Sequence, residues 1–398
     1  MTINLTPDPT LDQSPTMSRT ELRASGSLAS IFALRMLGLF LVLPVFALEA
    51  RKYPGGDDPV LIGLAMGIYG LTQGILQIPF GMASDRLGRK RVIIFGLLVF
   101  ALGSLIAGSA DTLTGLLVGR SVQGAGAVSA AVTALLADLT RDTVRTKAMA
   151  LVGASIGLMF ALSLVVSPVI AAHIGLSGLF VLTAVLALLG TAVVVWGVPA
   201  EPVVHKDAAR GGLRHVLSSP ALLRLNIGVF VLHAVQLAMW VAIPAFLVQA
   251  GLGKDDHWQI YLPAVLGSFA LMGGVFPLER RGYLRAVFLS AIALIAMVQV
   301  ALLWVSSGAP SITCLAWLLF AFFCGFNVLE ATQPSLVSRI APASSRGAAM
   351  GVYNTLQSLG FFAGGAAGGA LMKAGGAQVL FGVCGLATLI WLLLAWFM

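Results

Sequence analysis

Twelve times between residue 28 and residue 397 the chain runs for about 20 residues with almost no charge, and each run ends in a short polar stretch. At 1.5 Å per residue, about 20 apolar residues are what a helix needs to cross the hydrocarbon core of a bilayer. The segments lie at 28–49, 60–82, 92–110, 112–137, 147–172, 176–198, 221–250, 257–279, 284–305, 310–338, 347–372 and 376–397. Apolar residues make up 58% of the chain and charged ones 10%. A soluble protein of this length could not hide that much apolar surface from water, whereas a lipid-facing one has no need to. The expected class is therefore all-α integral membrane. The polar N-terminus lacks a basic start followed by an apolar stretch, so it does not read as a cleaved signal peptide. Cys314, Cys324 and Cys384 all sit inside apolar runs, which leaves no disulfide framework and no metal spacing.

Lys and Arg give the orientation. With the N-terminus in the cytoplasm, 18 of the 24 basic residues fall on that side and four (Arg51, Lys52, Lys254 and Lys373) on the other. Arg35 and Arg120 lie within spans. Both termini are thus expected in the cytoplasm. Topology also accounts for the basic pI near 9.8, so no nucleic-acid partner is implied. The longest internal hydrophilic stretch, 199–220, divides the chain. A tail (1–27) precedes a first six-helix bundle (28–198), and a second bundle (221–398) follows the linker. The halves resemble each other. "LFLVLPVFALEA" (39–50) aligns with "MWVAIPAFLVQA" (239–250), and "RTKAMA" (145–150) with "RGAAMG" (346–351), both about 200 residues apart.

Charge inside a bilayer costs several kcal/mol, so intramembrane polar groups mark an internal path or a partner. Among 16 acidic residues only Glu330 lies deep in a span, and among five histidines only His233 does. With Arg35 and Arg120 they form the candidate proton-coupling set. Helical spacing aligns further polar side chains on common faces. These are Tyr69 and Gln73 in span two, Gln123 beside Arg120 in span four, Asn226, Gln236 and Trp240 around His233 in span seven, Asn327 beside Glu330 in span ten, and Tyr353 with Gln357 in span eleven. They are the candidate lining of a substrate cavity. Spans three, six, nine and twelve carry no charge in their interiors and suit the lipid.

One loop concentrates charge, "GMASDRLGRKRV" (81–92). A topology signal explains its basic residues but not Asp85, nor the spacing of Gly81 and Gly88. Here the chain resembles the major facilitator superfamily, whose signature between spans two and three is G-x-x-x-D-R-x-G-R-[KR]. Gly81, Asp85, Arg86, Gly88, Arg89 and Lys90 fill every position. A second signature, R-x-x-Q-G-x-G-A, stands as "RSVQGAGA" (120–127). "IYGLTQGILQIPFGMASDRLGRKR" and "FNVLEATQPSLVSRI" look closest to the YajR-type branch of proton-driven drug exporters. The resemblance covers all twelve spans. It implies two pseudo-symmetric six-helix bundles in a bacterial inner membrane, acting as a monomer among lipids on protons and a small-molecule substrate. It also implies a latch in the outward-facing state, with Asp85 docked on the N-terminus of span eleven and Arg89 paired with Asp138. One family feature is missing. Drug antiporters carry G-x-x-x-G-P-x-x-G-G late in span five, where this chain has "ALSLVVSPVIAAHIG" (161–175).

No nucleotide-binding G-x-x-x-x-G-K-[ST] occurs, so an ion gradient is the expected energy source. No cofactor or metal is called for. No Ser-His-Asp set or embedded carboxylate pair suggests an enzyme. The expected function is efflux of small amphipathic organic compounds or drugs in exchange for protons. Phe160, Trp240, Phe361 and Phe362 are available as an apolar wall. A sugar or solute facilitator or importer of the same fold remains open, as does a non-transporting receptor.

Overall fold

In a computed structural model, which describes residues 16–201, 213–342 and 345–397, every regular element is helical. The first half holds α1 (Arg19–Glu49), α2 (Pro59–Leu87), α3 (Arg89–Gly108), α4 (Leu113–Ala125), α5 (Ser129–Asp138) and α6 (Asp142–Ala192). The second holds α7 (Leu213–Ser218), α8 (Pro220–Gln249), α9 (Trp258–Leu278), α10 (Leu284–Val305), α11 (Ile312–Ile340) and α12 (Arg346–Trp396).

α6 and α12 have 51 residues each. A straight helix of that length would measure about 77 Å, far more than a bilayer. Neither is straight. Gly175 (φ 65°) and Gly376 (φ 68°) take left-handed backbone conformations that glycine adopts without penalty, and the chain reverses there. The reversal is visible in the packing. Ser167 and Thr183, on either side of Gly175, donate to the neighbouring carbonyls of Leu41 and Gly38 on α1. Likewise Gly360 and Trp391 both meet α8 near residues 228–230. α6 thus carries spans five and six, α12 carries spans eleven and twelve, and α4 with α5 forms span four. The helices agree with the twelve apolar segments.

Two expected boundaries move. α1 starts at Arg19 rather than at 28, because Ser18 and Glu21 form a reciprocal cap: the Ser18 hydroxyl accepts from the Glu21 amide and the Glu21 carboxylate from the Ser18 amide. The expected tail is therefore helical over its last nine residues. The expected linker is helical from Leu213, and residues 202–212 lie outside the described residues.

Large apolar side chains stand exposed along spans three, six, nine and twelve, for example Phe95, Leu102, Val185, Met297, Leu386 and Leu393. Trp196 and Trp396 mark one end of this band, Trp304 and Trp317 the other, as interfacial tryptophans do. The two ends of the molecule differ. At the motif end lie the Gly88 turn and the start of α6. At the far end, the turns around residues 50–58, 254–257 and 373–376, the bundles interlock. There α2 presents Gly63, Gly67 and Gly70 to Gly365, Phe362 and Ser358 of α12, close enough for backbone to touch backbone. The ion pairs described between the bundles, Lys254–Glu49 at 2.8 Å and Lys373–Asp58 at 3.2 Å, lie at this end as well.

Candidate functional site: a polar core shared by two bundles

In the second bundle, three of the sequence candidates meet. The Nδ1 of His233 bonds the Val229 carbonyl of its own helix at 2.9 Å. That contact uses the Nδ1 proton and turns Nε2 outward. Nε2 lies 3.3 Å from Glu330 Oε2 and 2.8 Å from the amide nitrogen of Gln357, which also donates to Glu330 Oε1 at 3.2 Å. With a neutral imidazole, Nε2 accepts from Gln357. With an imidazolium it faces a carboxylate. The trio thus has two proton acceptors, on α8 and α11, bridged by an amide of α12. The His233 ring packs edge-on against Phe326 and Phe361, at 5.9 and 4.9 Å between centroids, and is buried. The Glu330 side chain is 38% exposed. Tyr353, one helical turn before Gln357, is buried with its hydroxyl unbonded.

In the first bundle the two intramembrane arginines meet around one phenol. Arg35, midway along α1, donates from Nη2 to the Tyr69 hydroxyl at 2.6 Å and to Gln73 Oε1 at 3.3 Å, and from Nη1 to the Ser129 hydroxyl at 3.1 Å. It also reaches the Gly126 carbonyl at 3.4 Å, and its guanidinium stacks 5.3 Å from the Phe100 ring centroid. Arg120 lies 5.2 Å over the Tyr69 ring. It donates to the Ala65 and Met66 carbonyls and to Gln123, which passes a bond on to Ser104. Span four is interrupted here. Gly126 (φ −76°, ψ 54°) leaves the helix between α4 and α5, packed against the Gly96 carbonyl and Phe100.

Aromatic rings connect the two clusters. Phe40 packs on Phe160 at 5.1 Å, Phe160 on Phe323 and Phe326 of the other bundle at 6.1 and 6.2 Å, and Phe326 on His233. Phe160 thus belongs to this run of rings, and Phe361 packs on His233. Trp240 packs on Tyr261 within its own bundle, at 5.4 Å. Asn327 bonds Ser268, while Asn226 and the Gln236 carbonyl oxygen are buried without a hydrogen bond. The four proton-coupling candidates separate into two pairs. Glu330 contacts His233, whereas Arg35 and Arg120 share Tyr69 in the opposite bundle.

The motif loop forms a compact network inside the first bundle. Gly88 has φ 98°, so a side chain there would be strained. The turn brings Arg89 onto Asp85, onto the Ser84 hydroxyl at 2.8 Å and onto Asp138 of α5 at 3.0 Å. Asp85 is not docked on α12: its side chain is 62% exposed and its partner is Arg89. Arg86 is exposed, and Gly81 has ordinary space beside Ala130. Sequence reasoning missed Glu201. Its carboxylate accepts the backbone N–H groups of Arg89 (3.0 Å) and Lys90 at the start of α3, and Lys90 Nζ donates to the Val198 carbonyl at 2.8 Å. A carboxylate at a helix N-terminus satisfies free amides and the helix dipole together.

At the far end Glu49 accepts from both Lys52 and Lys254. The Glu49 hydrogen bond raises the Lys254 pKa. Asp58 is held below the ordinary carboxylate range, first by the Val60 N–H that it caps and then by Lys373.

The Major Facilitator Superfamily profile matches residues 28–365 and 277–398. The chain belongs to the major facilitator superfamily. Within it, the chain is 41% identical over 387 residues to the Inner membrane transport protein YajR of Escherichia coli, covering 95% of this chain and 84% of that one. It is 26% identical over 345 residues to the Multidrug resistance protein MdtH of Aeromonas hydrophila, covering 84% of each. Among solved structures, a bacterial homologue of the human lysosomal transporter Spinster, in an inward-facing and occupied conformation, superposes with a TM-score of 0.72 at 14% identity, over 96% of this chain and 97% of that one. The chain is thus a multi-pass inner-membrane transporter of the superfamily, as its signatures at 81–90 and 120–127 imply.

Proposed function

We propose that this transporter exports small amphipathic organic compounds in exchange for protons, by alternating access, as a monomer in the lipid bilayer. The observation that carries the reading is the contact of Glu330 with His233 and Gln357, beside the aromatic rings that bridge the bundles. A carboxyl and an imidazole joined by one amide give a proton two places to rest, and rocking the bundles changes which of them meets water. Each proton that enters is driven by ~2.3 kcal/mol per 100 mV of membrane potential, besides any pH difference. The basic bias supports a cytoplasmic motif end and cytoplasmic termini. On that orientation, interlocking at the far end is the inward-facing state.

In the outward-facing state the motif end closes. Asp85, released from solvent, meets the start of α12, where the helix dipole favours a carboxylate by about 0.3–2 kcal/mol. Arg89 and Asp138 hold the loop for that docking. A second reading, import, is favoured by one observation. Ser167, where exporters carry glycine, ties span five to the Leu41 carbonyl of span one. Liposomes loaded with a pH-sensitive dye separate the two. Under an imposed pH gradient, substrate-dependent proton movement with flux opposite to the proton identifies the exporter, and flux with it the importer. Glu330→Gln is expected to abolish coupled flux and leave substrate counterflow. Full coupled transport in that variant would remove Glu330 from the mechanism.

A further inference from the structure

The first bundle holds two buried guanidiniums and, among the described residues, no carboxylate pairs with either. Every acceptor of Arg35 is neutral: a phenol, an amide, a serine hydroxyl and a backbone carbonyl. Arg120 is likewise held by two carbonyls and an amide. Neutral acceptors satisfy hydrogen bonds but leave the charge uncompensated, which is costly in a low-dielectric interior.

Two further observations converge on Arg35. Its Nε–H has no acceptor although the residue is only 1% exposed. And the guanidinium touches Ser129, the first residue of α5, a ten-residue helix that begins in mid-membrane at Val128 with no side-chain cap. The amides of the first turn of a helix seek an anion, and the dipole adds to that preference. The starts of α6, α10, α11 and α12 also lack a side-chain cap, whereas others have a carboxylate or hydroxyl acceptor. Asp58 serves α2, Thr112 serves α4, Ser219 serves α8, and Glu201 binds the start of α3. The break before α5 thus sets an open helix start beside an arginine with a spare donor.

We infer that Arg35 and the start of α5 bind the anionic head of the transported compound, so that the substrates are amphipathic organic anions, aromatic carboxylates or sulfonates. Gln73, half-buried at the edge of the cluster, makes one of the longer bonds to Arg35 and is the partner an entering oxyanion displaces. Phe40 lies five residues beyond Arg35 on α1 and begins the run of rings toward His233, which receives an aromatic body. The two bundles then divide the work: one reads the negative charge of the substrate, the other carries the proton. This inference rests on the transport reading and narrows it to a charge class.

Three probes of one shape test it with protein in nanodiscs: 1-naphthoate, 1-naphthylmethanol and 1-naphthylmethylammonium, measured by calorimetry against empty nanodiscs. Naphthoate is expected to bind at least tenfold more tightly than the other two. Gln73→Glu, which presents a carboxylate to the same guanidinium and keeps the Arg35 contacts, is expected to erase that preference. So is Arg35→Gln, with thermal unfolding followed to check that the variant folds. Equal binding of the three probes by the natural protein would overturn the inference, as would unchanged naphthoate preference in Gln73→Glu. If naphthoate shows no preference while Glu330-dependent proton exchange persists in liposomes, the charge class falls and the transport reading stands.

Discussion

The backbone of Gly63 on α2 rests against the carbonyl of Gly365 on α12, with no room between them for a methyl group. The far end of the molecule closes only because neither position carries a side chain. Gly63→Ala should therefore disfavour this conformation. Overpacking costs typically 1–3 kcal/mol, a shift of about 5- to 150-fold in the ratio of the two states. Spin labels at exposed Asp57 and Ala374 report the separation across the seam. A wide distance is expected in Gly63→Ala, and an unchanged short one would refute the argument. Gly81→Ala is the contrast. A Cβ there meets Ala130 at 3.7 Å, ordinary contact, so the closed far end should persist.

The same seam should respond to acid and to salt. The Asp58 carboxyl sits below its usual range, so its stabilising contribution is present at neutral pH and is lost as pH falls through the lowered value. The Val60 amide belongs to the same helix and acts in either state, and only the part due to Lys373 is linked to opening. Lys254 has the opposite sign: its pKa is raised, so its contribution persists below the ordinary lysine range and disappears only in strong alkali. The label distance across Asp57 and Ala374 should lengthen below about pH 4 and with added salt, and hardly change between pH 6 and 9. The pair Asp58→Lys with Lys373→Asp should restore what either change alone loses.

His233→Gln should separate proton handling from architecture. Gln retains a donor and an acceptor but cannot take up a proton. Coupled exchange is expected to fall at least tenfold, while counterflow continues. Full coupled exchange in the variant would leave the imidazole a packing role against Phe326 and Phe361.

Glu201→Gln should weaken the motif loop without touching its signature. Hydrogen bonds to a charged group are worth about 1.5–3 kcal/mol, more than neutral ones. A fall of several degrees in unfolding temperature is expected, with transport reduced about as far as by Arg89→Ala. Normal stability in Glu201→Gln would mean that the amides of Arg89 and Lys90 find other acceptors.

Hydropathy made the spans legible, since about 20 apolar residues leave a chain few alternatives to a crossing helix. The signature residues were equally plain. Lateral packing was not, because hydropathy carries no information about which helix lies beside which. Glu330 and His233 both stood out as polar groups in spans, yet nothing in their positions said that they touch each other rather than an arginine. Glu201 stands between Pro199 and Pro202 in a stretch that looks like ordinary linker, and its role depends on where α3 begins. One signal was present and unused: Gly63, Gly67, Gly70 and Gly74 recur every three or four residues, the spacing of a close helix contact. The break at Gly126 was also on view in "QGAGA", but the second signature reads through it as one continuous span.

The chain leaves its first half through Glu201, and that residue is bolted to the peptide groups of Arg89 and Lys90. A pull on the backbone at Glu201 would therefore be felt first by the residue whose side chain grips Asp85 and Asp138. Whatever displaces that one carboxylate displaces the whole charged turn with it.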